Sequence, residues 1–171
     1  MIDSLPSFAL STRRTLAWVV VVSLSTFAVS GLAQADSHEG DAASVKYRQA
    51  VMSGIGTNMG AIGDIMKNQL DLPGAIAIHA GQMADSAALI APAFKKKISA
   101  GATDAKAEIW QDWAKFEKAI ADYKKAASDL QAAASGSDPA AVGGAMKALG
   151  KSCGGCHKPF RKPKEESYKN K

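Results

Sequence analysis

From residue 41 onward apolar residues recur at steps of three, four and seven, the period of a helix buried along one face, and no stretch alternates as a strand does. Val45, Met52, Ile55, Met59, Ile62 and Met66 share such a face and predict a first helix over about Asp41–Asn68, closed by the polar run Lys67-Asn68-Gln69. Asp71-Leu72-Pro73 opens a second, with Pro73 in the first turn where its missing N–H costs nothing. Ile76, Met83, Ala87 and Ile90 form its apolar side, and Pro92 is expected to kink or stop it, with Phe94 and Ile98 just beyond. After a loop through Ser99–Thr103, Ile109, Trp113, Phe116, Ile120, Tyr123, Ala127 and Leu130 keep the period of a third helix. Ser135-Gly136-Ser137 breaks the pattern, and Asp138-Pro139 supplies a cap and a first-turn proline for a fourth helix carrying Val142, Met146 and Leu149. Four amphipathic helices with short connections imply an all-α fold, an antiparallel up-down-up-down four-helix bundle.

The chain before residue 36 has a different pattern. Arg13 and Arg14 precede an apolar run from Leu16 to Val22 that continues through Leu24, Phe27 and Val29 and ends at Ala33-Gln34-Ala35. A basic start, an apolar core interrupted by Ser23, Ser25 and Ser30, and a small-residue exit are the marks of a cleaved secretory leader over 1–35 rather than a membrane anchor. The mature domain is then 36–171, released from the membrane into the periplasm. At 171 residues, 47% hydrophobic, the chain has enough apolar matter for one domain with a real core and no room for a second.

The formal charge is +5, and loss of Arg13, Arg14 and Asp3 with the leader leaves +4. The positive charge gathers at the end, in Lys158, Arg161, Lys162, Lys164, Lys169 and Lys171. A basic rim of this kind steers an acidic protein partner; its plainer reading is a solvated, frayed tail. No basic stripe is interleaved with aromatics, so nucleic acid is not a partner.

The fourth helix ends in Cys153-Gly154-Gly155-Cys156-His157. A disulfide between cysteines three apart closes too short a loop to restrain the unfolded chain. On a helix the offsets of three and four place both thiols and the imidazole on one side of a single turn. Two thiols then reach two vinyl groups along one edge of a porphyrin while the imidazole rises to its iron, and the glycines keep side chains out of the ring's path. C-x-x-C-H is the spelling of covalent haem attachment, with His157 as an axial ligand. A thioredoxin-like pair would follow a strand, and a structural zinc site would need four ligands where no second cysteine pair exists. His38 and His79 have no ligand spacing to each other and read as ordinary histidines.

A four-helix pattern with its haem motif at the C-terminal end resembles the class II c-type cytochromes, typified by cytochrome c prime, over essentially the whole mature chain. Lys46-Tyr47-Arg48-Gln49 opening the first helix, Glu108-Ile109-Trp110 in the third, and Phe160-Arg161 after the motif carry the resemblance. It implies one covalent haem c, Arg48 near the haem propionates, Arg161 beside the proximal imidazole, and a homodimer through the first two helices. A guanidinium is the better planar partner for a carboxylate, and a cation beside the imidazole biases its hydrogen bonding and the iron's potential. It also brings Met52, four residues after Arg48, to the distal side of the haem. In low-spin members a methionine there binds iron, whereas high-spin members leave the site open to small gases.

Thioether ligation raises the potential and suits electron transfer. The resulting expectation is a periplasmic carrier of single electrons between redox partner proteins, with Met52 and His157 on the iron and Met59 as reserve. A five-coordinate protein binding nitric oxide or carbon monoxide is the alternative. An enzyme is not expected, because Val51, Ser53, Gly54 and Ile55 around Met52 offer no acid or base. Glycines at 54, 56, 60 and 63 each cost the first helix about 1 kcal/mol relative to alanine, for which close approach of haem or a partner helix is the expected reason.

Overall fold

The computed structural model describes residues 30–136 and 138–170, so most of the expected leader, 1–35, lies outside the described residues. The described chain is a bundle of four long helices, and its core sits between them. The first, α1 (Ser30–Asn68), starts upstream of the expected Asp41, in a stretch without proline. It ends where the polar run predicts. Gln69 takes a left-handed φ of 51° and the Leu70 N–H closes back on the Ile65 carbonyl at 3.1 Å, satisfying a helix-end acceptor.

Helix α2 (Ala75–Phe94) departs from expectation at both ends. Pro73 stands outside it, because Gly74 at the cap has φ 77° and cannot continue a right-handed helix upstream; Leu72–Ala75 is a turn closed by the Ala75 N–H on the Leu72 carbonyl. Pro92 does not stop it. The helix runs two residues further, and its last carbonyls find donors from outside, as described below.

The expected third helix comes in two pieces, α3 (Glu108–Gln111) and α4 (Trp113–Ala134). The break is Asp112, at φ −134° and ψ 71°, whose carboxylate accepts the Lys115 N–H at 3.0 Å. A short acid that caps a new helix competes with continuation of the old one. Helix α5 (Pro139–Phe160) opens as its sequence predicts, with Asp138 accepting from the Ala140 N–H at 2.8 Å and Pro139 in the first turn.

Ile62, Met83, Ile109, Leu130 and Leu149 are fully buried. Ala80 and Ala84 of α2 and Ala127 of α4 are small and buried in the core, and a Cβ on Gly81 of α2 would meet the Gln131 side chain of α4. Phe116 anchors the other end, edge-on to Phe94 and Phe160 at 5.3 and 5.2 Å and tilted against Trp113 at 5.4 Å. Among the described residues, Gly54, Gly60 and Gly63 have no neighbour from another element within 4 Å of an added Cβ, so no other helix of the bundle approaches them closely; of the four, Gly56 alone lines the cavity described next.

Packing runs around the bundle from α1 to α2, α2 to α4 and α4 to α5, but α1 and α5 barely touch. One edge is therefore open, and both helices turn side chains into it. The tail after α5 is not frayed. It folds back onto the loop before α3, with Lys106 N–H on the Phe160 carbonyl at 3.0 Å, Lys162 N–H on the Asp104 carbonyl at 2.8 Å, and Ser167 buried.

Candidate haem site

The open edge between α1 and α5 is a cavity of about 700 Å³, within the roughly 300–1,000 Å³ range of ligand and cofactor sites. Helix α1 supplies Met52, Ile55 and Met59; α4 supplies Phe116, Ile120 and Tyr123; α5 supplies Cys153, Cys156 and His157. All six site residues expected from sequence, Arg48, Met52, Cys153, Cys156, His157 and Arg161, border this one space. They are brought together from the two helices that do not pack on each other.

The last two turns of α5 explain how the motif presents itself. Both cysteines are free thiols, half-buried against the core, and His157 stands one residue further on the same turn, open to the cavity. Burial raises the Cys153 thiol, and burial together with Cys153 pushes Cys156 up to about 11. Burial, then the positive charge of Arg161, lowers His157. A neutral imidazole keeps a nitrogen lone pair for a metal, so Arg161 favours the ligating form. Two thiols and an imidazole on one wall, an apolar wall opposite and a slot of this size fit a covalently held haem.

Arg48 reaches the cavity wall, yet most of its hydrogen bonding goes elsewhere. Its Nε donates to the Ala93 carbonyl at 2.8 Å, Nη1 to the Ile98 carbonyl at 2.9 Å and Nη2 to the Lys96 carbonyl. Three of its five N–H groups thus close the end of α2 beyond Pro92. The guanidinium lies over the Phe94 ring at 4.9 Å and the Trp110 ring at 5.3 Å, and the residue is 3% exposed. Trp110 joins the same corner through its indole N–H on the Phe94 carbonyl at 2.7 Å.

His79 shares a hydrogen bond with Asn58 at 2.7 Å between α2 and α1, away from the cavity, as an ordinary structural histidine would. Sequence reasoning missed Tyr123, whose hydroxyl donates to the Met83 carbonyl at 2.8 Å, as well as Asp104, Tyr168 and Lys169, all on the cavity wall. A buried tyrosine on a helical period signals only core. For the other three no signal exists within their own neighbourhood.

Comparison with known proteins agrees with this arrangement. The family profile described as Cytochrome C' matches residues 43–161. Cytochrome c' of Rhodospirillum rubrum is 36% identical over 144 residues, covering 84% of this chain and 96% of that protein. Cytochrome c' of Pararhodospirillum photometricum is 36% identical over 118 residues, covering 68% and 94%. Among solved structures, cytochrome c prime from Shewanella frigidimarina superposes with a TM-score of 0.66 at 31% identity, over 72% of this chain and 97% of the other. The nitric oxide complex of a point mutant of cytochrome c prime from Alcaligenes xylosoxidans gives 0.65 at 30% identity, with the same coverage. By its profile, its relatives and its helical bundle with the attachment motif at the end of the last helix, this chain belongs to the cytochrome c' family of c-type cytochromes, which carry a covalently attached haem c.

Proposed function

We propose that this chain is a periplasmic carrier of single electrons, in which the His157 imidazole and the Met52 thioether would both ligate its haem iron. One observation carries the reading: the Met52 thioether on α1 and the His157 imidazole on α5 line the same cavity from the two helices facing across the open edge. When bound, the haem supplies a one-electron couple at iron. Cys153 and Cys156 hold it covalently, and Arg161 beside His157 tunes the imidazole. Ile55, Ile120 and Phe116 exclude water, which limits reorganisation between oxidation states.

Optical and spin-resonance spectra of the purified protein test this. A low-spin ferric spectrum that Met52→Ala converts to high-spin supports methionine ligation. A high-spin ferric spectrum in the unmutated protein, with carbon monoxide binding on reduction, refutes it. The second reading, binding or buffering of nitric oxide at a five-coordinate iron, is favoured by the nitric oxide complex among the structural neighbours, and in it Met52 is a wall residue.

Export rests on the leader pattern, and no helix among the described residues is long and apolar enough to cross a membrane. For a redox partner with acidic surface, Lys115 and Lys151, together with Lys118 paired to Asp122 at 2.7 Å, line a groove of about 460 Å³ between α4 and α5, beside Gly155 of the motif. For a homodimer, Ile78 at 62% exposure, with exposed Leu89, Leu72 and Tyr47, leaves apolar surface on α1, α2 and their turn for a second copy to cover. Sedimentation of the holoprotein measures that association directly.

A further inference from the structure

The mouth of the cavity is crossed by a segment beyond the stretch that the family profile matches, which ends at residue 161. Residues 162–170 form a strap moored mainly to Asp104. The Asp104 carboxylate accepts the Tyr168 N–H at 3.0 Å and the Ser167 hydroxyl at 2.9 Å, while Lys162 Nζ donates to the Thr103 carbonyl at 3.0 Å. At its far end the Tyr168 hydroxyl accepts from the Gln49 amide of α1 at 3.0 Å. The strap therefore runs from the end of α5 to α1, across the edge of the bundle that helix packing leaves open. Tyr168 and Lys169 line the cavity as it passes.

A haem tethered by its vinyl edge to α5 still has two carboxylate arms to satisfy, and a carboxylate out of bulk water needs donors. The arginine that the resemblance assigns to them, Arg48, has three N–H groups on backbone carbonyls and two aromatic rings against its guanidinium. Lys169, by contrast, makes no ion pair among the described residues. The Tyr168 hydroxyl accepts from Gln49, which leaves its own proton to donate.

We propose that the C-terminal strap is a propionate-binding cover, in which the Tyr168 hydroxyl and the Lys169 ammonium hydrogen-bond the haem carboxylates and close that edge of the cavity to water. The inference rests on the haem filling the cavity between α1 and α5. Both donors withdraw negative charge from the carboxylates, which favours the reduced, less positive iron. Removing either one lowers the reduction potential.

The test uses holoprotein whose haem is retained on a denaturing gel, with Tyr168→Phe and Lys169→Met, substitutions at half-buried and exposed positions that leave the core untouched. Spectroelectrochemical titration is expected to show a lower midpoint potential in both variants, with the Lys169→Met shift shrinking at high salt as screening replaces the lost charge. Unchanged potentials in both variants overturn the proposal and leave the haem placement intact. Failure of the unmutated protein to retain haem overturns the placement itself and the proposal with it.

Discussion

Arg48→Met keeps most of the side chain's apolar bulk and removes the guanidinium, which separates what Arg48 does for the chain from what it does for a haem. Three carbonyls lose their donor, those of Ala93, Lys96 and Ile98. Lys96 is exposed and its carbonyl turns to water, but Ala93 and Ile98 are buried, and each orphaned acceptor costs about 1–3 kcal/mol. Loss of contact with the Phe94 and Trp110 rings adds about 1 kcal/mol. Relief from burying a cation returns about as much. The net is about 2–6 kcal/mol, and with a urea slope of about 2 kcal/mol per molar it lowers the unfolding midpoint by roughly 1–3 M. Far-ultraviolet dichroism in urea reads it. Arg48→Lys restores less than half, since an ammonium has neither the planar fork nor the stacking face. An unfolding midpoint unchanged in Arg48→Met alongside a shifted reduction potential would refute the reasoning, because Arg48 would then serve the haem and not the end of α2.

Gly60→Ala stabilises the protein by up to about 1 kcal/mol, because the position is mid-helix, exposed, clear of every protein atom within 4 Å and absent from the cavity wall; a loss of haem incorporation in this variant would show that close approach is needed there. Tyr123 gives a pH signature. Burial raises its phenol far above the ordinary value of about 10, so above that pH the unfolded chain gives up a proton the folded one keeps and stability falls as pH rises. Tyr123→Phe costs about 1 kcal/mol at neutral pH through the lost bond to the Met83 carbonyl, and its stability curve above pH 10 is flatter than that of the unmutated protein. Equal alkaline slopes in the two proteins would place the loss elsewhere.

Much of the bundle was legible because its determinants are local. The apolar period, the polar stop after Lys67 and the Asp138-Pro139 opening each lie within a few residues of the structure they produce, and all are found. So does the attachment motif, whose three functional side chains need one helical turn and nothing more. Sequence and structure part where two local signals compete. Asp71-Leu72-Pro73 looked like a helix start, but the left-handed Gly74 just after it set the boundary; Asp112 sat inside an unbroken apolar period and still capped a new helix.

Spacing along the chain is enough to make helices, to start α5 at Asp138-Pro139 and to put two thiols and an imidazole on one turn at its end. Tertiary structure alone decided which helices pack and which pair leaves an edge open for the haem. Arg48 meets carbonyls 45 to 50 residues away, and Asp104 holds Ser167 and Tyr168 from 63 and 64 residues away. A charged tail reads as solvated until a distant loop offers it a half-buried carboxylate and two carbonyls, and nothing around Arg48 in the sequence announces that three of its N–H groups close the end of a different helix. Such pairings depend on where rigid helices deliver their ends, a property of their packing that the pattern along any one of them does not contain.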